Sequence, residues 1–172
     1  MKLVELVERV AAFDAAVERV FDRFHSPPLD AVAYRLSSAA DHSLLWHVCG
    51  AARALARGGD VQWEARYAGA MAAESLLTNG VIKTMFGRVR PADYADIEWL
   101  HGMHRPVTSS FPSGHATAAF CAASLLGGGP WYALASGVAA SRVYVRLHHA
   151  SDVAAGAAIG LAMGLAFRRF VR

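Results

Sequence analysis

VAAGAAIGLAMGLAF, residues 153–167, carries no charge and repeats glycine every fourth position, at 156, 160 and 164. Period four is helical, and small residues on one helix face let a second backbone come close. The stretch falls short of the roughly 20 apolar residues that a spanning helix needs. Its composition nonetheless sets the tone for the whole chain. Of 172 residues, 55% are hydrophobic and 18% charged, and soluble domains usually carry about 25% charge. Alternating apolar and polar residues of the β kind occur nowhere, so the fold class is all-α.

Helices are expected at residues 30–40, 42–57, 61–86, 113–126 and 131–147, and at 152–170 around this stretch. Gly58-Gly59, Gly127-Gly128-Gly129 and six prolines punctuate them. The expected architecture is a membrane-embedded antiparallel bundle of about five to six helices. It rests on helix number and Ala/Gly content. Residues 1–28 read as a separate amphipathic unit, with 29–172 as the helical domain proper. Leu3, Val7, Val10, Phe13, Val17, Phe21 and Phe24 recur at helical spacing between charges, as in a helix lying in the membrane interface or packed on a bundle. The interface is the favoured placement. That segment lacks the apolar core of a signal peptide, which argues against a secreted soluble protein. A net charge of +3 with scattered arginines argues against nucleic acid. Cys49 and Cys121 have no CxxC companion and read as buried thiols.

Three polar stretches interrupt this apolar background: KTMFGRVRP (83–91), FPSGHAT (111–117) and SRVYVRLHHASD (141–152). In an up-and-down bundle the first and third lie where helices end, and PSGH and His148 lie where helices begin. All three therefore meet at one end of the bundle. Lys83, Arg90 and Arg142 supply cations, two of them forked guanidiniums suited to phosphate. Ser113 adds a hydroxyl. Gly114 lets an anion approach the free N–H groups of a helix start. Asp152 lies one helical turn after His148, where a carboxylate can hold one ring nitrogen and raise the basicity of the other. That pairing suits a nucleophile that forms a phosphohistidine. His115, at the opposite side, can protonate the leaving oxygen and then activate water.

The patterns K-x6-R-P, P-S-G-H and S-R-x5-H-x3-D, in that order, resemble the three signatures of the type 2 phosphatidic acid phosphatase (PAP2) superfamily. The resemblance covers residues 83–152. It implies a phosphatase with His148 as nucleophile, Asp152 as its partner and His115 as general acid. Lys83, Arg90, Ser113, Gly114 and Arg142 would bind the phosphoryl group, and no metal or other cofactor would be needed. Membrane lipids are the implied partners. The implied substrates are lipid phosphates: phosphatidic acid, phosphatidylglycerol phosphate, or polyprenyl mono- or diphosphate.

Two other readings share the anion pocket. A vanadate-dependent peroxidase would be built on a larger soluble scaffold than this chain. A non-catalytic headgroup-binding membrane protein would need the cations but not the His148–Asp152 pair. Outside the motifs, His149, Arg88 and Arg146 read as interfacial or solvated, and His42 and His47 as polar helix positions. His101 and His104 lack the companions of a zinc site. Trp99 and Met103, in the 92–110 loop, are expected to shape headgroup choice. Arg53, Arg57, Arg168, Arg169 and Arg172 cluster at the far end of the bundle. By the positive-inside rule that end is cytoplasmic, and the motif end faces outward.

Overall fold

In a computed structural model of the protein, residues 3–91 and 108–172 are described. Among them every regular element is helical: α1 (Leu3–Asp22), α2 (Pro27–Ala39), α3 (Leu44–Ala56), α4 (Val61–Ser75), α5 (Gly114–Leu126), α6 (Gly129–Tyr144) and α7 (Ala150–Val171). Pro27 and Pro28 open α2 rather than only ending what precedes it. Proline lacks the N–H that the first helical turn leaves unused. Asp60 caps α4 by accepting the Trp63 N–H at 2.9 Å.

The helix expected over 61–86 is not a single α-helix. It is α-helical to Ser75, widens to a π-helix over Leu76–Ile82, and closes as a 3-10 turn at Lys83–Met85. Asn79 and Gly80, both weak α formers, sit in the widened part. Stretches of π-helix recur at functional sites, and this one carries Asn79 to a cavity wall and ends at Lys83.

Helix α5 is the central element, with Ala116, Ala119, Cys121, Ala122 and Ala123 all fully buried. It runs alongside α7 in nearly direct backbone contact. A Cβ built at Gly156 would lie 2.5 Å from the Ser113 carbonyl oxygen, one at Gly160 2.1 Å from that of Thr117, and one at Gly164 2.5 Å from Ser124 Cβ. The glycine repeat of residues 153–167 is therefore a slot for α5. Trp46, Tyr67 and Met71 fill the space on the side of α3 and α4, and the Tyr67 hydroxyl donates to the Trp46 carbonyl at 2.9 Å. Cys49 and Cys121 are free thiols.

One described helix, α7, is long and apolar enough to cross a membrane, and α5 is a shorter apolar helix. Leu55, Leu76, Leu165 and Phe170 are among the large apolar side chains left exposed on the bundle. On α1 the inward stripe differs from the expected one. Phe13 is 51% exposed, and Asp14 (3%) faces the bundle in its place. Arg168 approaches Gly127, and Arg66 donates to the Arg172 carbonyl. The arginine-bearing end is thus opposite the starts of α5 and α7.

Candidate active site

The last turns of α4 and α6, the first turn of α5 and the turns that precede α3 and α7 enclose a cavity of about 380 Å³, within the range of small-ligand sites. Lys83, Arg90, Gly114, His115, Arg142 and His148 line it, together with Asp41, His42, Ser43, Ser75, Asn79 and Thr108. The three sequence stretches do converge.

His148 sits in the turn between α6 and α7. That turn is built by folding residues 145–149 back on the end of α6, where the Arg142 carbonyl accepts the N–H groups of both Leu147 and His148. Arg146 takes the left-handed conformation this reversal needs (φ 53°). The imidazole is 2% exposed. Its Nδ1 lies 2.7 Å from the Ser110 carbonyl oxygen, which can only accept, so Nδ1 carries the proton. Asp152 Oδ2 stands 3.8 Å from the same nitrogen, at ion-pair distance but too far for a hydrogen bond. The carboxylate therefore backs the ring electrostatically, while a carbonyl fixes the tautomer. Nε2 keeps its lone pair and faces Arg90 Nη1 at 3.2 Å. Burial pushes the His148 pKa down to about 3, and the nearby Arg142, Arg90 and Lys83 charges work in the same direction against Asp152. The ring is therefore neutral near pH 7, with Nε2 unprotonated.

Arg90 is itself held by the carbonyls of Leu147 (2.6 Å), Thr108 (3.3 Å) and Ser109 (3.4 Å). Arg142 donates to the Ser37 hydroxyl. Both guanidiniums are buried and pre-oriented, which removes much of the entropy cost of gripping an anion. A Cβ at Gly114 would lie 3.1 Å from Asn79 Oδ1 and 3.6 Å from Lys83 Nζ. The start of α5 and the lysine thus share one small space. Ser113 stands behind the cavity wall. Its Oγ caps α5 by accepting the Ala116 N–H, and its N–H donates to the Asp152 carbonyl, so the two helix starts are tied together.

Several side chains at the site escaped the sequence reading. His115 Nε2 pairs with Asp41 at 2.8 Å. Asp41 lies in a 3-10 turn whose next residues, His42 and Ser43, have φ of 52° and 61°. His42 is therefore a strained cavity-lining residue and not a helix position; such strain concentrates at functional sites. Arg88 is half-buried rather than a free surface cation, and it spans the buried carboxylates of Asp14 and Asp152 at 2.6 Å each. His149 caps α7, its N–H donating to Asp152 Oδ2 at 2.9 Å, and its ring meets Glu18 of α1 at 3.0 Å. Arg146 pairs with Asp22 of α1. The stripe in α1 did hold one clue, since Asp14 falls in register with Val10, Val17 and Phe21. Asp41 offered none. Trp99, His101, Met103 and His104 lie outside the described residues.

A pocket of fixed cations, a neutral imidazole with its lone pair turned inward and a second imidazole backed by an acid has the chemistry to hold an anion and to move a proton beside it, on a helical bundle. The chain belongs to the PAP2 superfamily, whose family profile matches residues 63–172, and it is a phosphatase of that superfamily. It is 33% identical to decaprenylphosphoryl-5-phosphoribose phosphatase of Mycobacterium tuberculosis, over 93% of this chain and 86% of that protein. A shorter similarity, 36% over 48% of this chain, joins it to the lipid A 1-phosphatase of Porphyromonas gingivalis, of which it covers 18%. Among solved structures it resembles the transmembrane PAP2-type phosphatidylglycerolphosphate phosphatase of Bacillus subtilis (TM-score 0.74, 25% identity, 94% of this chain and 86% of that one). The fold is also that of Aquifex aeolicus LpxE (TM-score 0.71, 23% identity, 90% and 94%).

Proposed function

We propose that the protein is an integral membrane phosphatase that removes a terminal phosphate from a lipid-linked substrate through a phosphohistidine on His148. The observation that carries this reading is the contact between Arg90 Nη1 and His148 Nε2, which puts the nucleophilic lone pair at the edge of the cation cluster. Lys83, Arg90, Arg142 and the free N–H groups at the start of α5 hold the phosphoryl oxygens. His148 Nε2 attacks phosphorus, and the bond to the leaving oxygen breaks as His115, which takes up a proton when the phosphate anion binds and is held as the imidazolium against Asp41, donates that proton to it. His115 then takes a proton from water, whose oxygen attacks phosphorus and breaks the P–N bond. Phosphate leaves, and His148 returns neutral. Asp41 holds the His115 ring through both proton transfers, and Asp152 offsets the positive charge on the phosphorylated His148 ring.

The substrate class is inferred from the polar groups that line the cavity beside the cations. Ser43, Ser75 and Asn79 offer hydroxyls and an amide there, and Asp41 offers a carboxylate. These groups suit a polyol between the scissile phosphate and the lipid, and Asp41 would repel a second phosphate. A phosphomonoester on a lipid-linked sugar or glycerol is thus favoured over a polyprenyl diphosphate. The activity of the mycobacterial relative on a lipid-linked pentose phosphate supports the same class. Apolar exposure on α7 and the arginines at the far end support a bundle in the bilayer with its catalytic mouth on the extracytoplasmic side. The outer face of α1, with Leu3, Val4, Phe13 and Val20 exposed, lies in the headgroup region.

The test is phosphate release in detergent, with EDTA present, from phosphatidic acid, phosphatidylglycerol phosphate, a polyprenylphosphoryl pentose phosphate and polyprenyl mono- and diphosphates. Turnover that vanishes in His148→Ala, with the polyol monoesters preferred, is expected. No release from any of these substrates refutes the function, and a preference for the diphosphate refutes the substrate class. Protease access to the mouth only from the cytoplasmic side of vesicles would refute the orientation.

A further inference from the structure

We propose that Asp14 of α1 and Arg88 form a positioning pair that fixes the Asp152 carboxylate behind the His148 imidazole, which makes the N-terminal helix part of the catalytic unit. This rests on the proposed role of His148. The Arg88 guanidinium donates through Nη1 to Asp152 Oδ1 (2.6 Å) and Ser151 Oγ (2.7 Å), and through Nη2 to Asp14 Oδ2 (2.6 Å). Asp14 grips the same turn of α7 directly. Its Oδ1 accepts the Ser151 N–H at 2.8 Å and its Oδ2 the Ser151 hydroxyl at 2.7 Å. Asp152 therefore has Oδ1 held by Arg88 and Oδ2 held by the His149 N–H, and the latter oxygen faces His148 Nδ1.

The arrangement explains two features that the reaction leaves unused. Asp14 is a nearly fully buried acid on an otherwise apolar helix stripe, a costly placement without a charged partner. Asp152 makes no hydrogen bond to the histidine it serves, so its orientation has to be set from elsewhere. Arg88 sets it, and a forked guanidinium between two carboxylates admits few geometries. Without Asp14, Nη2 loses this anchor and the fork is free to turn away from Asp152. Attack by His148 puts positive charge on the ring, and the carboxylate stabilises that charge only while it stays in place.

Docking of α1 does not depend on this pair alone, since Asp22–Arg146 and Glu18–His149 also tie it to the bundle. That separates positioning from attachment. The full chain in detergent is assayed with a short-chain lipid phosphomonoester as wild type, Asp14→Asn, Arg88→Gln, the double variant, Asp22→Asn and His148→Ala. Asp14→Asn and Arg88→Gln should each lower kcat roughly 10- to 100-fold with KM within about threefold, the size expected when a supporting group lets a catalytic one drift. The double variant should be no worse than Arg88→Gln, because one pathway is lost once. Asp22→Asn should keep wild-type kcat. An active wild type with unchanged kcat in Asp14→Asn overturns this inference and leaves the proposed function standing. So do additive losses, or an equal loss in Asp22→Asn. A wild type without turnover overturns both. If Asp14→Asn does not yield folded protein, Arg88→Lys carries the test: it keeps the charge but loses the fork, and wild-type kcat there overturns the inference.

Discussion

Gly160→Ala is the sharpest perturbation the fold offers. A methyl group at residue 160 would lie 2.1 Å from the Thr117 carbonyl oxygen, 2.8 Å from its carbon and 2.9 Å from its Cα, all backbone atoms of α5. Ordinary contact begins at 3.4 Å, so the methyl group is about 1.3 Å too close. Since no side chain can swing aside, α5 and α7 must move apart by about that distance. Overpacking of this kind costs roughly 1–3 kcal/mol. The functional loss should be larger in proportion, because α5 carries Gly114 and His115 while α7 carries Asp152 and follows His148. A misplacement of about 1 Å between reacting groups costs on the order of 100-fold in rate. Thermal unfolding in detergent and kcat/KM measured on one preparation would check both figures. Gly69→Ala is the control. Its methyl group meets nothing within 4 Å on α4, and it should stabilise by about 0.4–1 kcal/mol at unchanged activity. Stability within about 0.5 kcal/mol of wild type and near-normal turnover in Gly160→Ala would refute the close α5–α7 contact as the frame of the site.

Other outcomes follow from the same geometry. In nitrogen-detected NMR the His148 ring should stay neutral from pH 8 down to pH 5, because its protonated form appears only near its pKa of about 3; a titration midpoint near 6.5 would contradict its buried, cation-lined setting. Asp41→Asn should slow hydrolysis of alkyl phosphates by roughly 10- to 100-fold and p-nitrophenyl phosphate far less, since only the poor leaving group needs the proton from His115. Equal losses on both would deny Asp41 a part in proton donation. Arg142→Lys keeps the charge but loses the fork and its hold on Ser37. It should weaken binding of vanadate as a phosphate mimic by about tenfold or more, measured as inhibition, and unchanged inhibition would remove Arg142 from the anion site.

Much of this protein could be read from its chain alone. Helical periodicity, the lack of β alternation and the order of three polar stretches were enough for an all-α bundle whose polar stretches meet at one end, because residue spacing determines which side chains share a helix face. Gly156, Gly160 and Gly164 announced a close helix contact, since glycine repeated on one face removes the side chains that would keep a neighbour away. What the chain could not reveal was pairing across space. Arg88 looked like a spare cation and Asp14 like one acid of an amphipathic helix, and 74 positions separate them. Asp41 and His115 are as far apart in sequence. The Ser110 carbonyl that fixes the tautomer of His148 has no signature at all, because every residue has a carbonyl. Local spacing is written in covalent order, and so the motif residues were legible. Their electrostatic support depends on distances of a few ångströms between segments that meet only when α1, α4, α5 and α7 have packed together.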